Sequence, residues 1–189
     1  MNIRIEKIEE YGKLVAIAGF RESRISDVTA FIEAVRKRLG PHDFQVLNAD
    51  HVAGWRHLCF AALNALKAFD QKRNFAGRLD MEMLLYASCQ DQITKAFTLV
   101  GITPQTSRVA FLMLAESEEE AVKGLESVEP FLGVLDDSVL EINEEKFGEL
   151  KQVFSVSDLE LEAITATSDR YEALTLAVIE RCALLGVHR

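Results

Sequence analysis

The chain has 189 residues, 49% of them apolar, which is the size of one domain and enough to bury a real core. Three widely separated cysteines, an odd number, argue against a disulfide framework and for a reducing compartment. The densest apolar run, Val109 to Ala115, is seven residues long, far short of a bilayer span, and Met1 to Glu10 carries no signal-peptide pattern, so the expectation is a cytoplasmic protein without membrane contact.

Two β-like runs open the chain, Asn2 to Ile8 and Leu14 to Phe20, around a turn at Tyr11-Gly12. The first alternates charged and apolar residues as a half-exposed strand does; the second is more continuously apolar and reads as central. A helix follows from Ser26, an N-cap candidate, to Leu39, where Gly40-Pro41 stops it. Phe44 to Leu47 reads as a third strand, and Val52 to Phe69 as a long helix with Trp55, Leu58, Cys59, Ala62, Leu63 and Leu66 on one stripe.

A basic loop, Lys72 to Arg78, leads to a helix at Leu79 to Ser88 and a shorter one at Asp91 to Val100. Val109 to Leu114 reads as a buried strand. Ser117 then caps a helix whose Glu120 stands in the capping-box position, and Pro130 to Gly133 ends it. Val139 to Ile142 is expected as a last strand, before helices at Glu144 to Phe154, Ser157 to Ile164 and Ser168 to Leu185. No internal repeat, low-complexity tract or long linker divides residues 1–189, so one domain is expected.

The net charge of −9 is unevenly spread. Residues 1–114 carry 15 Lys/Arg and 12 Asp/Glu, a net of +3, whereas residues 115–172 carry 4 and 17, a net of −13. Either the two regions face partners of opposite sign, or the acidic stretch is an ordinary solvated helical surface.

Motifs of catalysis are absent from the sequence: there is no Gly-x-Gly-x-x-Gly, no Walker-type phosphate loop and no Gly-x-Ser-x-Gly. His51, His57 and Cys59 are close in sequence, but helical spacing turns the two imidazoles apart and puts the thiol on the core stripe, and no second cluster completes four ligands. The pairs Asp136-Asp137 and Glu144-Glu145 stand at turns and helix starts, where acids serve as caps. No catalytic residue, cofactor or metal site is therefore assigned.

Two features point to binding instead. Between Lys67 and Arg78 four cations (Lys67, Lys72, Arg73, Arg78) face one acid (Asp70), with Asn74 and Phe75 among them. Cations meet phosphates and an aromatic ring stacks on a base, so this loop suits single-stranded nucleic acid, with modest, salt-sensitive affinity. In the last helix Tyr171, Leu174, Val178, Cys182 and Leu185 form one apolar stripe and Leu176, Ile179, Ala183 and Val187 a second. One packs on the domain; the other is either buried by neighbouring helices or open to another protein.

In order along the chain stand Asn48-Ala49-Asp50-His51-Val52-Ala53-Gly54-Trp55-Arg56-His57-Leu58, then Asn74, then Leu79-Asp80-Met81-Glu82-Met83-Leu84-Leu85-Tyr86-Ala87-Ser88. Gln92 to Ala96, Gly101-Ile102-Thr103, Leu150 to Asp158 and Ile179 to Leu185 follow. From about Phe44 onward this series resembles the TPRKB-like (CGI-type) family, the kinase-binding regulatory subunit of the KEOPS complex. The resemblance implies an α+β fold: a single two-layer domain with a small mixed or antiparallel sheet, several helices and a helical C-terminus. It implies no catalysis by the chain itself, with metal and nucleotide belonging to other subunits. The implied partners are the small atypical kinase/ATPase of KEOPS and the 3′ end of tRNA, recruited for threonylcarbamoylation of an anticodon-loop adenosine.

One position departs from the pattern. Archaeal members often read Gly-x-Arg-Gln-Ile where this chain has Cys89-Gln90-Asp91-Gln92-Ile93, so a carboxylate replaces a cation. Eukaryotic relatives also lack that arginine. The tRNA candidates are then Lys72, Arg73, Asn74 and Arg78, with Lys95, Gln92 and Ile93; the kinase-interface candidates are Leu176, Ile179, Ala183 and Val187. The alternative is a free-standing single-stranded RNA-binding protein, resting on the basic loop alone.

Overall fold

The computed structural model describes residues 4–165 and 169–187. Asn2, where the first strand is expected to begin, and Ser168, where the last helix is, lie outside them. Strands β1 (Arg4–Ile8), β2 (Lys13–Arg21), β3 (Phe44–Asn48), β4 (Val109–Ala115) and β5 (Val134–Leu135) form one antiparallel sheet. Its order is β1-β2-β4-β3, with β5 pairing β2 through Phe20–Leu135 and Arg21–Val134. Helices α1 (Val28–Leu39), α2 (Gly54–Asp70), α3 (Leu79–Ser88), α4 (Ile93–Val100), α5 (Glu118–Leu132), α6 (Glu144–Val153), α7 (Asp158–Thr165) and α8 (Arg170–Leu184) complete the α+β fold.

Strand alternation divides the interior in two. Val15, Ile17, Leu47, Ala110, Leu112 and Leu114 face a large core shared with α2, α3 and α8. Ala16, Ala18, Phe20, Phe44, Val46, Phe111 and Met113 face a smaller core under α1 and α5. Helices thus cover both faces, adding a layer to the two-layer arrangement expected from the sequence. The central strands β2 and β4 are buried on both sides, which is why they read as continuous apolar runs.

Several boundaries move for local chemical reasons. Asp27, not Ser26, caps α1, its Oδ1 accepting the Ala30 N–H at 2.8 Å. Ser117 caps α5 at 3.2 Å as expected, while the Glu120 carboxylate reaches the Glu116 amide rather than that of the cap residue. A reciprocal capping box instead opens α7: Ser157 Oγ accepts the Glu160 N–H at 3.2 Å and Glu160 Oε2 accepts the Ser157 N–H at 2.8 Å. α5 continues through Pro130 and stops at Gly133, whose φ of 121° suits glycine.

The strand expected at Val139 to Ile142 is absent. Strand β5 is confined to two residues, and Asp137–Leu140 forms a 3₁₀ turn. The carboxylates of the Asp136-Asp137 pair explain the change. Asp136 Oδ1 accepts the Ser138 N–H at 3.1 Å, bending the chain, and Asp137 Oδ1 takes the Gly19 N–H at 2.8 Å that a longer strand would use. Gly19 is required by this close approach: a Cβ there would lie 2.6 Å from Val139 Cγ2 and 2.8 Å from the Asp136 carbonyl.

The acidic stretch is likewise divided, with α5 on the small-core face and α6 and α7 on the other. Several of its carboxylates accept backbone N–H groups at turns and helix starts, among them Asp136, Glu160 and Asp169. No helix among the described residues is long and apolar enough to cross a membrane.

Candidate functional site

The basic loop leaves α2 through Lys72, whose φ of 56° reverses the chain, and its backbone is pinned at once. The Lys72 N–H donates to the Phe69 carbonyl at 3.1 Å and the Arg73 N–H to that of Ala68 at 2.8 Å. Asn74 Nδ2 donates to the Ala76 carbonyl at 2.8 Å. Beneath the loop lies the start of α3, where Asp80 and Glu82 are both fully buried.

Glu82 accepts the Phe75 N–H through Oε2 at 2.9 Å and the Ala76 N–H at 2.7 Å. Asp80 is clamped by two guanidinium groups: Arg36 Nη2 lies 2.5 Å from Oδ2, and Arg78 approaches with Nε 3.1 Å from Oδ1 and Nη2 against Oδ2. The Asp80 carbonyl also receives Gln45 Nε2 at 2.6 Å from β3. The side chains of Lys72, Arg73 and Arg78 all stand exposed, that of Arg78 while pairing with the buried Asp80. Asn74 is half-buried.

The second set of candidates lies on α8, which packs against α2, α3, α6 and α7. Leu174, Val178 and Cys182 of the first stripe are buried as expected. The second stripe is graded along the helix. Ile179 is buried at 9% exposure and Leu176 half-buried, while Ala183 and Val187 are exposed, Val187 at 68%. Neighbouring helices cover the middle of the stripe and leave its end open, so both sequence alternatives hold on different turns of one helix. Leu184, exposed at 42%, joins the open end although it belongs to neither stripe.

That end stands as an apolar ridge between two hollows. One, of 310 Å³, is lined by Cys89, Phe154, Arg181 and Leu184. The other, of 270 Å³, is lined by Lys67, Gln71, Arg73, Tyr86, Ala183 and Val187. The second hollow brings together the two sets that the sequence treated separately, the loop cations and the end of α8. Its floor is Tyr86, whose hydroxyl lies where a Cβ on Gly186 would meet it at 2.9 Å.

Gln92, Ile93 and Lys95 lie elsewhere along the surface, at the start of α4, all three exposed. Gln92 is the residue before the helix, and Asp91 precedes it rather than beginning it. A carboxylate at that point complements the positive end of the helix. Ile93 and Phe97, 39% and 48% exposed, form a small apolar face one turn apart.

The titratable groups nearby have structural tasks. Burial pushes the His57 imidazole down to about 4, and its Nδ1 accepts the Ala53 N–H at 3.2 Å. Burial pushes the Cys89 thiol up to about 12, holding it protonated and unreactive at neutral pH. His51 spans from the Leu99 carbonyl to Glu149, 3.0 Å from Nε2. Among the described residues no three His, Cys, Asp or Glu side chains gather as metal ligands.

The motif residues are also architectural. Asn48 Oδ1 accepts the Asp50 N–H at 3.1 Å, and Asp50 pairs with Arg108 at 2.8 Å. Together with His51 they tie β3 to the start of β4, to α4 and to α6.

The family model described as Kinase binding protein CGI-121 matches residues 25–186, which runs from just before α1 to the last turn after α8. The chain belongs to the CGI-121 family. A curated relative, Regulatory protein Cgi121 of Methanocaldococcus jannaschii, is 35% identical over 113 residues, covering 60% of this chain and 70% of the relative. The CGI-121 match takes in the loop, both buried carboxylates and all of α8, and leaves β1 and β2 outside it.

Sequence reasoning passed over Lys67's place in the hollow, Tyr86 beneath it, and the clamp made by Asp80 and Glu82. The sign of the clamp was present: two acids directly follow a cationic loop.

Proposed function

We propose that this chain is a non-catalytic, regulatory KEOPS subunit. It binds the complex's atypical kinase/ATPase through the open end of α8 and helps recruit the 3′ end of tRNA through Lys72 and Arg73. The observation that carries this reading is the hollow in which Arg73 and Lys67 meet Ala183 and Val187. A kinase seated on the apolar ridge of α8 lies beside the loop cations, so one partner is held while the other is brought alongside. Apolar side chains flanked by concave surface suit a protein partner, and two exposed cations supply salt-dependent affinity for phosphate without sequence reading. Cytoplasmic localisation accords with three free cysteines.

The pairing of Arg78 with Asp80 counts against a free-standing RNA binder, because the carboxylate offsets one of the loop's few cationic charges. The test uses the chain together with its cognate kinase, mixed with tRNA transcripts that carry or lack the 3′ terminal nucleotides. Weaker retention of the truncated tRNA by the pair than of the intact one is expected. Equal retention of both would remove the 3′ end from the account.

A further inference from the structure

The loop that presents Lys72 and Arg73 is held by a carboxylate that never reaches solvent. Glu82 is fully buried, and both of its oxygens approach the loop backbone: Oε1 lies 3.1 Å and Oε2 2.9 Å from the Phe75 nitrogen, with Oε2 2.7 Å from that of Ala76. Two successive amides pointing at one anion form the concave backbone arrangement that elsewhere captures a free anion. Here the protein supplies the anion itself. A carboxylate is suited to this because it only accepts hydrogen bonds, whereas an amide of the same shape has one accepting oxygen and turns two N–H donors on its surroundings.

Asp80 completes the arrangement from the other side. Fully buried itself, it holds the guanidinium of the exposed Arg78 and ties that far end of the loop to Arg36. The segment from Lys72 to Arg78 is thereby tied at Phe69, Ala68, Ala76, Glu82 and Asp80. The exposed side chains of Lys72 and Arg73 project from a fixed backbone.

We infer that Glu82, seconded by Asp80, is a positioning residue: it sets the loop backbone in advance, so that Lys72 and Arg73 face an anionic ligand without the loop having to be ordered on binding. The inference rests on the anion-binding reading of the loop proposed above. A preformed loop spares the ordering cost that a mobile one pays at the moment of association. The arrangement also distinguishes the three cations of the loop by role, since Arg78 serves the loop's shape and Lys72 and Arg73 its contact.

The test compares wild type with Glu82→Gln, and with Glu82→Asp, which keeps the charge but withdraws it by one methylene. Three readouts are taken: hydrogen exchange of the Phe75 and Ala76 amides, the salt dependence of tRNA binding in the presence of the kinase, and binding to the kinase itself. Expected for Glu82→Gln are exchange at the two amides faster by about tenfold or more and tRNA affinity lower by about tenfold with a shallower salt slope, with kinase affinity unchanged. Glu82→Asp should fall between the two, and supplies the comparison if Glu82→Gln does not fold. A purely structural role would lower thermal stability without flattening the salt slope, and that result would overturn the inference. Unchanged exchange at Phe75 and Ala76 would overturn it as well. If wild type with its kinase binds no tRNA, the RNA reading falls by itself, and the exchange measurement decides the loop assignment alone.

Discussion

Arg78, although its side chain is largely exposed, reaches back with its guanidinium onto Asp80, with Nε 3.1 Å from Oδ1 of a carboxylate that has no exposure. In the sequence it is one more cation of a basic loop; in the fold it is the counter-ion of a buried acid. Replacement by glutamine is therefore expected to cost stability rather than RNA affinity. Asp80 keeps Arg36, so the loss should be about 1–2 kcal/mol, below the cost of stranding a buried charge completely. Arg73→Gln should do the reverse. Urea unfolding and filter binding of the two variants check this, and a large loss of RNA affinity in Arg78→Gln alone would contradict it.

Lys146 is buried at 3% exposure, its Nζ donating to the Val139 carbonyl at 2.9 Å. Burial lowers its pKa to about 7, against the opposing pull of Asp50. Between about pH 7 and the ordinary lysine value of 10.5 the unfolded chain holds a proton that the folded chain has released. Stability should therefore rise with pH across that window. Lys146→Met should lack the rise. Urea midpoints of both proteins at pH 7 and pH 9 measure it, and parallel changes would contradict the assignment.

His57 is held at about 4, against an ordinary value of 6.5, by complete burial. The folded chain then binds fewer protons than the unfolded one between those values, and stability should fall as pH drops through that window. The His57 ring resonances should stay unshifted in an NMR titration from pH 8 down to about pH 5. A midpoint near 6.5 would show the ring to be solvated.

Gly19 admits the 136–140 turn against β2, so closely that a Cβ at this position would lie only 2.6 Å from Val139 Cγ2. Gly19→Ala should displace that turn and destabilise the protein by about 1–3 kcal/mol. A melting temperature equal to wild type would show that the turn yields without cost.

The sequence reading follows the structure where one signal dominates. Continuous apolar runs marked β2 and β4, and Leu79 to Ser88 stands as α3 with the bounds expected. It departs where short polar side chains compete with the backbone. Asp27 displaces Ser26 as a cap, and Asp136 and Asp137 convert an apolar run into a turn by taking hydrogen bonds that a strand needs. The candidate site was legible as residue types and not as pairings. Lys72, Arg73, Ala183 and Val187 are accessible, but Ile179 is covered by neighbouring helices and Arg78 is bound to an acid two residues away. Nothing in periodicity shows which exposed cation of a loop will pair with an acid, because that depends on which carboxylate the fold buries beneath it.

The end of α8 as the kinase contact is tested most directly by calorimetry with the cognate kinase. Wild type should form a one-to-one complex. Ala183→Glu and Val187→Glu, both at exposed positions, should weaken it by about tenfold or more without changing the melting temperature. No complex with wild type, or equal affinity for both variants, would contradict the account.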